Sequence, residues 1–288
     1  MIKTVTRKSM LIRSSGRSTD YISPSFGHGC LYNCSYCYMK RHKDVGLDVA
    51  DLKSTLQILT EINNHAYFTS VKKPNQTHHK YITYDISCNE DFALHAKHHH
   101  WKRIFKYFVD SDVAMGSFAT KHVNNKLLEF NPEKKVRIRF SLMPQVLADK
   151  LEPNTSSIEK RLEAINNFIE AGYDVHVNFS PVIYTDNWLE LYRELFNQLN
   201  SAVKNKYKPY VKAEVIFLTH NQKKHEYNIK NNITGEDLLW HPEVQEDKIS
   251  EYGGSNIRYK HKLKANFIKD WRKVHDDIVP WNTIRYIF

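Results

Sequence analysis

Gly29-Cys30-Leu31-Tyr32-Asn33-Cys34-Ser35-Tyr36-Cys37-Tyr38 sets three cysteines at C-x3-C-x2-C spacing. A loop of that length wraps three thiolates around one face of a small cluster, and thiolates are the usual protein ligands of iron–sulfur clusters. Three ligands are one short of the four such a cluster needs, so one iron would stay open to a small molecule. Gly27 and Gly29 flank the bend into the loop, where backbone must pass close to what the cysteines hold. Two plainer readings compete. Structural zinc could take the three thiolates with His28 or His42, and buried thiols are common packing residues. Structural zinc usually comes as two C-x2-C pairs, or one such pair with a distant H-x3-5-H. The sequence has no second pair, which favours the cluster.

The rest of the chain bounds the setting. Its 288 residues suit one large domain, or one domain with an appendage, and an α/β barrel of this size buries a sizeable core. No apolar run approaches a membrane span, and Met1 to Lys8 has no apolar signal region. The expectation is a cytoplasmic protein with no membrane partner. Of four cysteines, only Cys88 lies outside the loop. That is no disulfide framework, and a reducing compartment suits thiolate ligands. The formal net charge of +10, from 42 basic and 32 acidic residues, fits a well-solvated basic surface or a polyanionic partner such as nucleic acid.

Read in order, residues 1–21 form a polar, basic lead-in, residues 22–219 alternate strands with helices, and residues 220–288 form an appendage. Ile22 to Phe26 reads as a short strand feeding the loop. Asp48 to Ile62 reads as a helix capped by Asp48, with Val49, Leu52, Leu56 and Leu59 on its apolar face. Pro74 falls in a polar loop. A strand over 81–86 precedes a helix over 97–110 with Trp101, Ile104, Phe105 and Phe108 on one face. A strand over 113–119 precedes a short helical stretch from Lys121 to Phe130. Val136 to Ser141 is a strand, and Ser156-Ser157-Ile158-Glu159 is a capping box opening a helix that Gly172 closes. Strands over 174–180 and 211–218 enclose a helix marked by Trp188, Leu191, Leu195 and Leu199, and Phe267 to Val274 is helical. The alternation recurs about six times and predicts a parallel sheet in an α/β fold. Function in such sheets gathers at the C-terminal ends of strands, which selects the cysteine loop, Cys88, Lys121, Ser141 and Ser180. The cluster of His95, His98, His99 and His100 reads as a solvated helix start.

The spacing, with an aromatic before the last cysteine, resembles the radical S-adenosylmethionine (SAM) superfamily. Within it, the chain resembles the spore photoproduct lyase family. The likeness runs from about Phe26 to Phe288 through the cysteine loop, Cys88 followed by Asp91, Thr120-Lys121, Arg137-Ile138-Arg139-Phe140-Ser141, Glu152-Pro153-Asn154-Thr155-Ser156-Ser157, Ala171-Gly172-Tyr173, Tyr252-Gly253 and Arg285-Tyr286. It implies a partial (β/α)6 TIM-like barrel of the radical SAM type with a C-terminal α/β appendage that binds substrate. It implies an enzyme returning a methylene-bridged thymine dimer in UV-damaged DNA to two thymines through a 5′-deoxyadenosyl radical. Cys30, Cys34 and Cys37 would bind a 4Fe–4S cluster, with SAM as second cofactor and a flavodoxin or ferredoxin as electron donor.

The resemblance also assigns the remaining site. Cys88 matches the cysteine that gives a hydrogen atom to the product radical; its place after a strand that should end near the cluster suits that role. Tyr36 and Tyr38 match tyrosines near SAM and substrate that relay the radical back, while Lys121 and Ser141 match residues that hold SAM. Tyr252 and Tyr259 are candidates to stack on an extruded base. Two departures stand out. Asn89 and Glu90 occupy positions where the family tends to have small hydroxyl residues, and Glu251 stands where it has arginine. The alternatives are a radical SAM enzyme acting on another nucleic-acid base or a small molecule, and a non-catalytic DNA-binding protein with a structural metal.

Overall fold

The computed structural model describes residues 1–15, 17–37, 39, 46–69, 77–249 and 254–288. The chain divides into two compact units, Met1–Leu31 with Asp44–Phe140 and Ala164–His176, and Tyr32–Lys43 with Ser141–Glu163 and Val177–Phe288. His42, Pro74 and Glu251 lie outside the described residues.

The first unit opens with β1 (Ile2–Val5), β2 (Arg13–Ser14), β3 (Tyr21–Ile22), β4 (Gly27–His28) and β5 (Leu47–Ala50). β5 pairs in parallel with β1 and antiparallel with β4. The polar, basic lead-in thus contributes short strands, and of the strand expected over 22–26 only Ile22 is paired, in β3, with β4 beginning just after at Gly27. α1 (Leu52–Phe68) follows, then β6 (Ile82–Asp85), α2 (Phe92–His95), α3 (Trp101–Asp110), β7 (Ala114–Thr120) and β8 (Val136–Ser141). β3, β6, β7 and β8 are successive parallel neighbours, and β2 pairs antiparallel with β3.

Two local expectations change here. The cap of α1 is Asp51, whose carboxylate accepts the Ser54 N–H at 2.7 Å, because Asp48 is drawn into β5. The buried face is accordingly Thr55, Ile58, Leu59, Ile62 and Ala66, and Leu52 and Leu56 stay 43% and 42% exposed. The stretch from Lys121 contains only a 3-10 turn over Asn125–Glu129. β8 is as expected and is buried throughout. Its arginines are tolerated because each meets a carboxylate: Arg137 Nε donates to Asp174 and Arg139 Nη2 to Asp85, both at 2.7 Å.

The second unit contains α4 (Gln145–Leu151), the start of α5 (Ile158–Glu170), most of β9 (Asp174–Val182), α6 (Trp188–Ala202), β10 (Ala213–Phe217), β11 (Thr219–His220), α7 (Gln222–Lys230), β12 (Gln245–Ile249), β13 (Ser255–Tyr259), α8 (His261–Ile278) and β14 (Ile284–Ile287). Ser157, not Ser156, caps α5 by accepting the Lys160 N–H. Ser180 lies inside β9 rather than at its end. β10 pairs in parallel with both β9 and β14, while β11, β13 and β12 form a separate antiparallel sheet. α8 buries Trp271 against Tyr192 and Phe196 of α6, and β14 extends the parallel strands. No helix among the described residues is long and apolar enough to cross a membrane.

Candidate functional site

The cysteine loop is built on fixed backbone. Gly29 has φ of +104°, and a Cβ there would overlap the Gly46 carbonyl oxygen, so the bend demands glycine. Its N–H donates to Asn89 O at 3.0 Å. Cys30 follows, half-buried, and the Leu31 N–H donates to His95 Nε2 at 3.3 Å. In the second unit the Cys37 N–H donates to Cys34 O at 3.1 Å, closing a turn that gathers these two cysteines. Between them Ser35 is fully engaged: its N–H donates to Leu151 O at 2.8 Å and its Oγ to Thr234 O at 2.8 Å. Cys34 is buried and Cys37 half-buried, and none of the four cysteines is in a disulfide. The C-x3-C-x2-C spacing, with no fourth cysteine in the loop, fits an iron–sulfur cluster with one open iron.

Cys88 sits in a turn just past the C-terminal end of β6. The Glu90 N–H donates to Ser87 O at 3.2 Å across it. Asp85 anchors the turn, accepting the Ser87 N–H at 2.9 Å and Arg139 on its other oxygen. Asn89 donates to Ser25 Oγ at 2.6 Å and accepts the Gly29 N–H. The turn bearing Cys88 is thus hydrogen-bonded to the residue immediately before Cys30. Lys121 directly follows β7, with its N–H on Asp91 Oδ2 at 2.8 Å. Asp91 also accepts Thr120 Oγ1 at 2.7 Å and caps α2. Ser141 ends β8, 2% exposed, its carbonyl accepting Arg161 Nη1 at 2.9 Å.

Glu152 and Arg161 have no functional role assigned from the sequence. The Tyr36 hydroxyl donates to Glu152 Oε1 in a short hydrogen bond, and Arg161 Nη2 donates to Glu152 Oε2 at 2.7 Å with both side chains fully buried. Burial first, then the adjacent Glu152 carboxylate, push the Tyr36 phenol well above its usual pKa. It remains a protonated donor aimed at that carboxylate. The only advance signal was Glu152 at the head of the Glu152-Pro153-Asn154 motif. Removing one partner of such a pair leaves a buried, uncompensated charge, so Arg161→Met is expected to cost about 3–5 kcal/mol of stability. Urea unfolding of the cluster-free protein measures this, and a loss below about 1 kcal/mol would contradict it.

Two expectations are corrected. Tyr259 is fully buried, accepts the Tyr184 N–H on its hydroxyl at 2.9 Å and packs on Phe217 and Phe267. A side chain with no exposed face cannot stack on a base, so Tyr259 is a core residue. The histidine cluster is also not a solvated helix start. His95 and His99 are buried against Glu90, with His95 Nδ1 and His99 Nε2 at 3.0 and 2.8 Å from its Oε2; only His100 is exposed. Burial alone would raise the Glu90 carboxyl, but His99 and His95 outweigh it and hold it below its usual range. A depressed carboxyl stabilises the fold above its unfolded-state pKa, and the contribution is lost as pH falls through the folded value. Tyr38 and Tyr252 lie outside the described residues.

The family model for spore photoproduct lyase matches residues 2–288. The chain belongs to the spore photoproduct lyase family. The spore photoproduct lyase of Bacillus subtilis (strain 168) is 30% identical over 200 residues, covering 68% of this chain and 56% of that protein. The chain thus matches little more than half the length of this curated relative. A structure of spore photoproduct lyase complexed with dinucleoside spore photoproduct aligns with TM-score 0.87 at 20% identity, covering 100% of this chain and 82% of that one. A mutant lyase with bound AdoMet and the same dinucleoside aligns with TM-score 0.87 at 19% identity and equal coverage. The fold is therefore that of the spore photoproduct lyases, the α/β partial barrel of radical SAM type that the family resemblance implies, and it agrees with the parallel strand–helix alternation.

Proposed function

We propose that the chain is a radical SAM DNA-repair lyase that returns spore photoproduct, a methylene-bridged thymine dimer, to two thymines. The carrying observation is the Gly29–Asn89 hydrogen bond, which ties the Cys88 turn to the start of the three-cysteine loop. Membership of the family supports it, as do relatives whose structures hold AdoMet and the dinucleoside lesion. Cys30, Cys34 and Cys37 would hold a 4Fe–4S cluster, which, reduced by a flavodoxin or ferredoxin, supplies the electron that cleaves SAM to a 5′-deoxyadenosyl radical. Lys121, its peptide fixed by Asp91, offers a cation to the SAM carboxylate, and Ser141 a hydroxyl to the polar rim. Cys88 gives its thiol hydrogen to the thymine radical left when the bridge breaks, forming a C–H bond and a thiyl radical. Tyr36, with Tyr38, returns that radical: a phenolic hydrogen atom passes to the Cys88 thiyl, restoring the thiol, and is replaced by one from 5′-deoxyadenosine, while Glu152 accepts the hydrogen bond of the Tyr36 phenol in its protonated state. A reducing, cytoplasmic setting suits four cysteines outside any disulfide.

The test is anaerobic reconstitution with iron and sulfide, then incubation with SAM, dithionite and dinucleoside spore photoproduct. Conversion to the thymine dinucleotide alongside 5′-deoxyadenosine is expected; SAM cleavage with the lesion untouched would reject this substrate. With a net charge of +10, binding of lesion-bearing duplex is expected to be steeply salt-dependent. Three neutralised phosphates give a log–log slope of about −2.7, so affinity falls roughly 40-fold between about 50 and about 200 mM salt. Fluorescence anisotropy across that range measures the slope, and a flat profile would argue against DNA as partner.

A further inference from the structure

A buried carboxylate held by two histidines occurs twice among the described residues, once in each unit. Each instance is hydrogen-bonded onward to a peptide of the cysteine loop. In the first unit, His95 Nε2 accepts the Leu31 N–H, so His95 carries its proton on Nδ1 and donates it to Glu90 Oε2. His99 Nε2 reaches the same oxygen at 2.8 Å, with its ring stacked on Phe92 at 4.9 Å. Gly27 lies against the carboxylate, and a Cβ there would overlap it. In the second unit, Glu236 Oε1 lies 2.9 Å from His220 Nε2 and 2.6 Å from His225 Nδ1. Asn228, fully buried, donates to Glu236 Oε2 and to Ser35 O, the latter at 3.0 Å. Leu31 is adjacent to Cys30, and Ser35 to Cys34.

A metal ion is a competing reading of His220, His225 and Glu236, whose donor atoms lie within 4.8 Å of one another. Around tetrahedral zinc, with bonds of about 2.0–2.1 Å, neighbouring donors stand about 3.3 Å apart. Here both ring nitrogens approach one oxygen at hydrogen-bond distances, and the second oxygen is taken by Asn228. The geometry is that of a hydrogen-bonded carboxylate.

We propose that Glu90 and Glu236 are positioning residues for the cysteine loop, Glu90 locking His95 onto the Leu31 peptide and Glu236 locking Asn228 onto the Ser35 peptide. They thereby set where Cys30 and Cys34 present their sulfurs. This rests on the cluster reading of the loop. It also gives the departure at position 90 a purpose: the carboxylate faces a histidine pair instead of offering a hydroxyl to SAM. Groups hydrogen-bonded directly to a metal ligand typically change metal affinity by about 10- to 100-fold, and the Leu31 and Ser35 peptides held here lie one residue beyond Cys30 and Cys34.

The test compares the parent with His95→Leu, His95→Gln and Asn228→Leu, each reconstituted anaerobically as the full chain. The readouts are iron loss to a chelator and the EPR spectrum of the reduced cluster before and after SAM. The leucine variants are expected to stay folded by circular dichroism, lose iron about 10- to 100-fold faster and show an altered SAM-dependent spectrum. His95→Gln, whose amide can both donate to Glu90 and accept from Leu31, is expected to behave as the parent. Parent-like iron loss and spectra in both leucine variants would overturn the proposal, and so would loss of folding in both, which would assign the clusters to stability alone. Stoichiometric zinc in the Cys30→Ala/Cys34→Ala/Cys37→Ala protein, abolished by Glu236→Gln, would overturn it in favour of a metal site. If the parent itself takes up no iron, the cluster reading fails first, which separates the two failures.

Discussion

Alanine at any one of Cys30, Cys34 or Cys37 is expected to leave the protein without stable iron and without SAM cleavage. The loop offers three thiolates and contains no fourth, so each substitution removes a third of the protein's hold. The remaining cysteine, Cys88, is committed to the turn after β6 by bonds from Asp85 and Asn89, and cannot substitute without dismantling that turn. The backbone should survive each change, since Gly29, Ser35 and Cys37 are held by main-chain hydrogen bonds that alanine leaves intact. The variants should therefore remain folded and colourless, with iron content and 5′-deoxyadenosine production both near zero. Iron assay, EPR and chromatography after anaerobic reconstitution measure this. Full cluster content in all three variants would remove the loop from consideration as the iron site, and stoichiometric zinc in the parent would restore the structural-metal reading.

What could be read from the sequence depended on how local its cause was. β8 was legible because Val136, Ile138 and Phe140 alternate with residues of the other face, and that pattern survives folding. α6 was legible from its helical apolar repeat, and its Trp188, Leu195 and Leu199 are buried as expected. β5 and β14 were not, because both are strands only by virtue of distant partners. Leu47–Ala50 pairs with the first residues of the chain, and Ile284–Ile287 with β10 some seventy residues earlier. Once β5 forms, Asp48 is unavailable as a cap and Asp51 takes the role, which shifts the buried face of α1.

The site divided along the same line. The cysteine spacing is a local signal, and so is the placement of Cys88 and Lys121 just beyond strand ends. The charges behind the loop are not local. Histidines at 95 and 99 look solvated until Glu90 is folded back among them by the Ser87–Glu90 turn. Glu152 and Arg161 carry no local signal of their buried pairing, which Tyr36, more than a hundred residues away, completes with its hydroxyl. Tyr259 failed in the opposite direction: an aromatic in a basic, tyrosine-rich tail suggested a stacking platform, yet it is taken up by Phe217, Phe267 and the Tyr184 peptide.

Cys88→Ala is expected to separate SAM cleavage from clean repair. The cysteine loop is untouched, and the Cys88 turn is closed by backbone and by Asp85, not by the thiol. Iron content and 5′-deoxyadenosine production should match the parent. The bridge of the lesion should still break, because that step needs only the abstraction of a hydrogen from the dimer. What is lost is the weak S–H bond that gives a hydrogen atom to the resulting thymine radical; a methyl group cannot replace it. The stranded radical is then quenched by other reagents, dithionite-derived species among them, giving adducts in place of thymine and a fall in turnover. Mass spectrometry of products against 5′-deoxyadenosine formed is the measurement. If the variant makes thymine as cleanly and as fast as the parent, Cys88 is a packing thiol, and the hydrogen atom must come from a residue other than a cysteine, since the remaining three are the proposed cluster ligands.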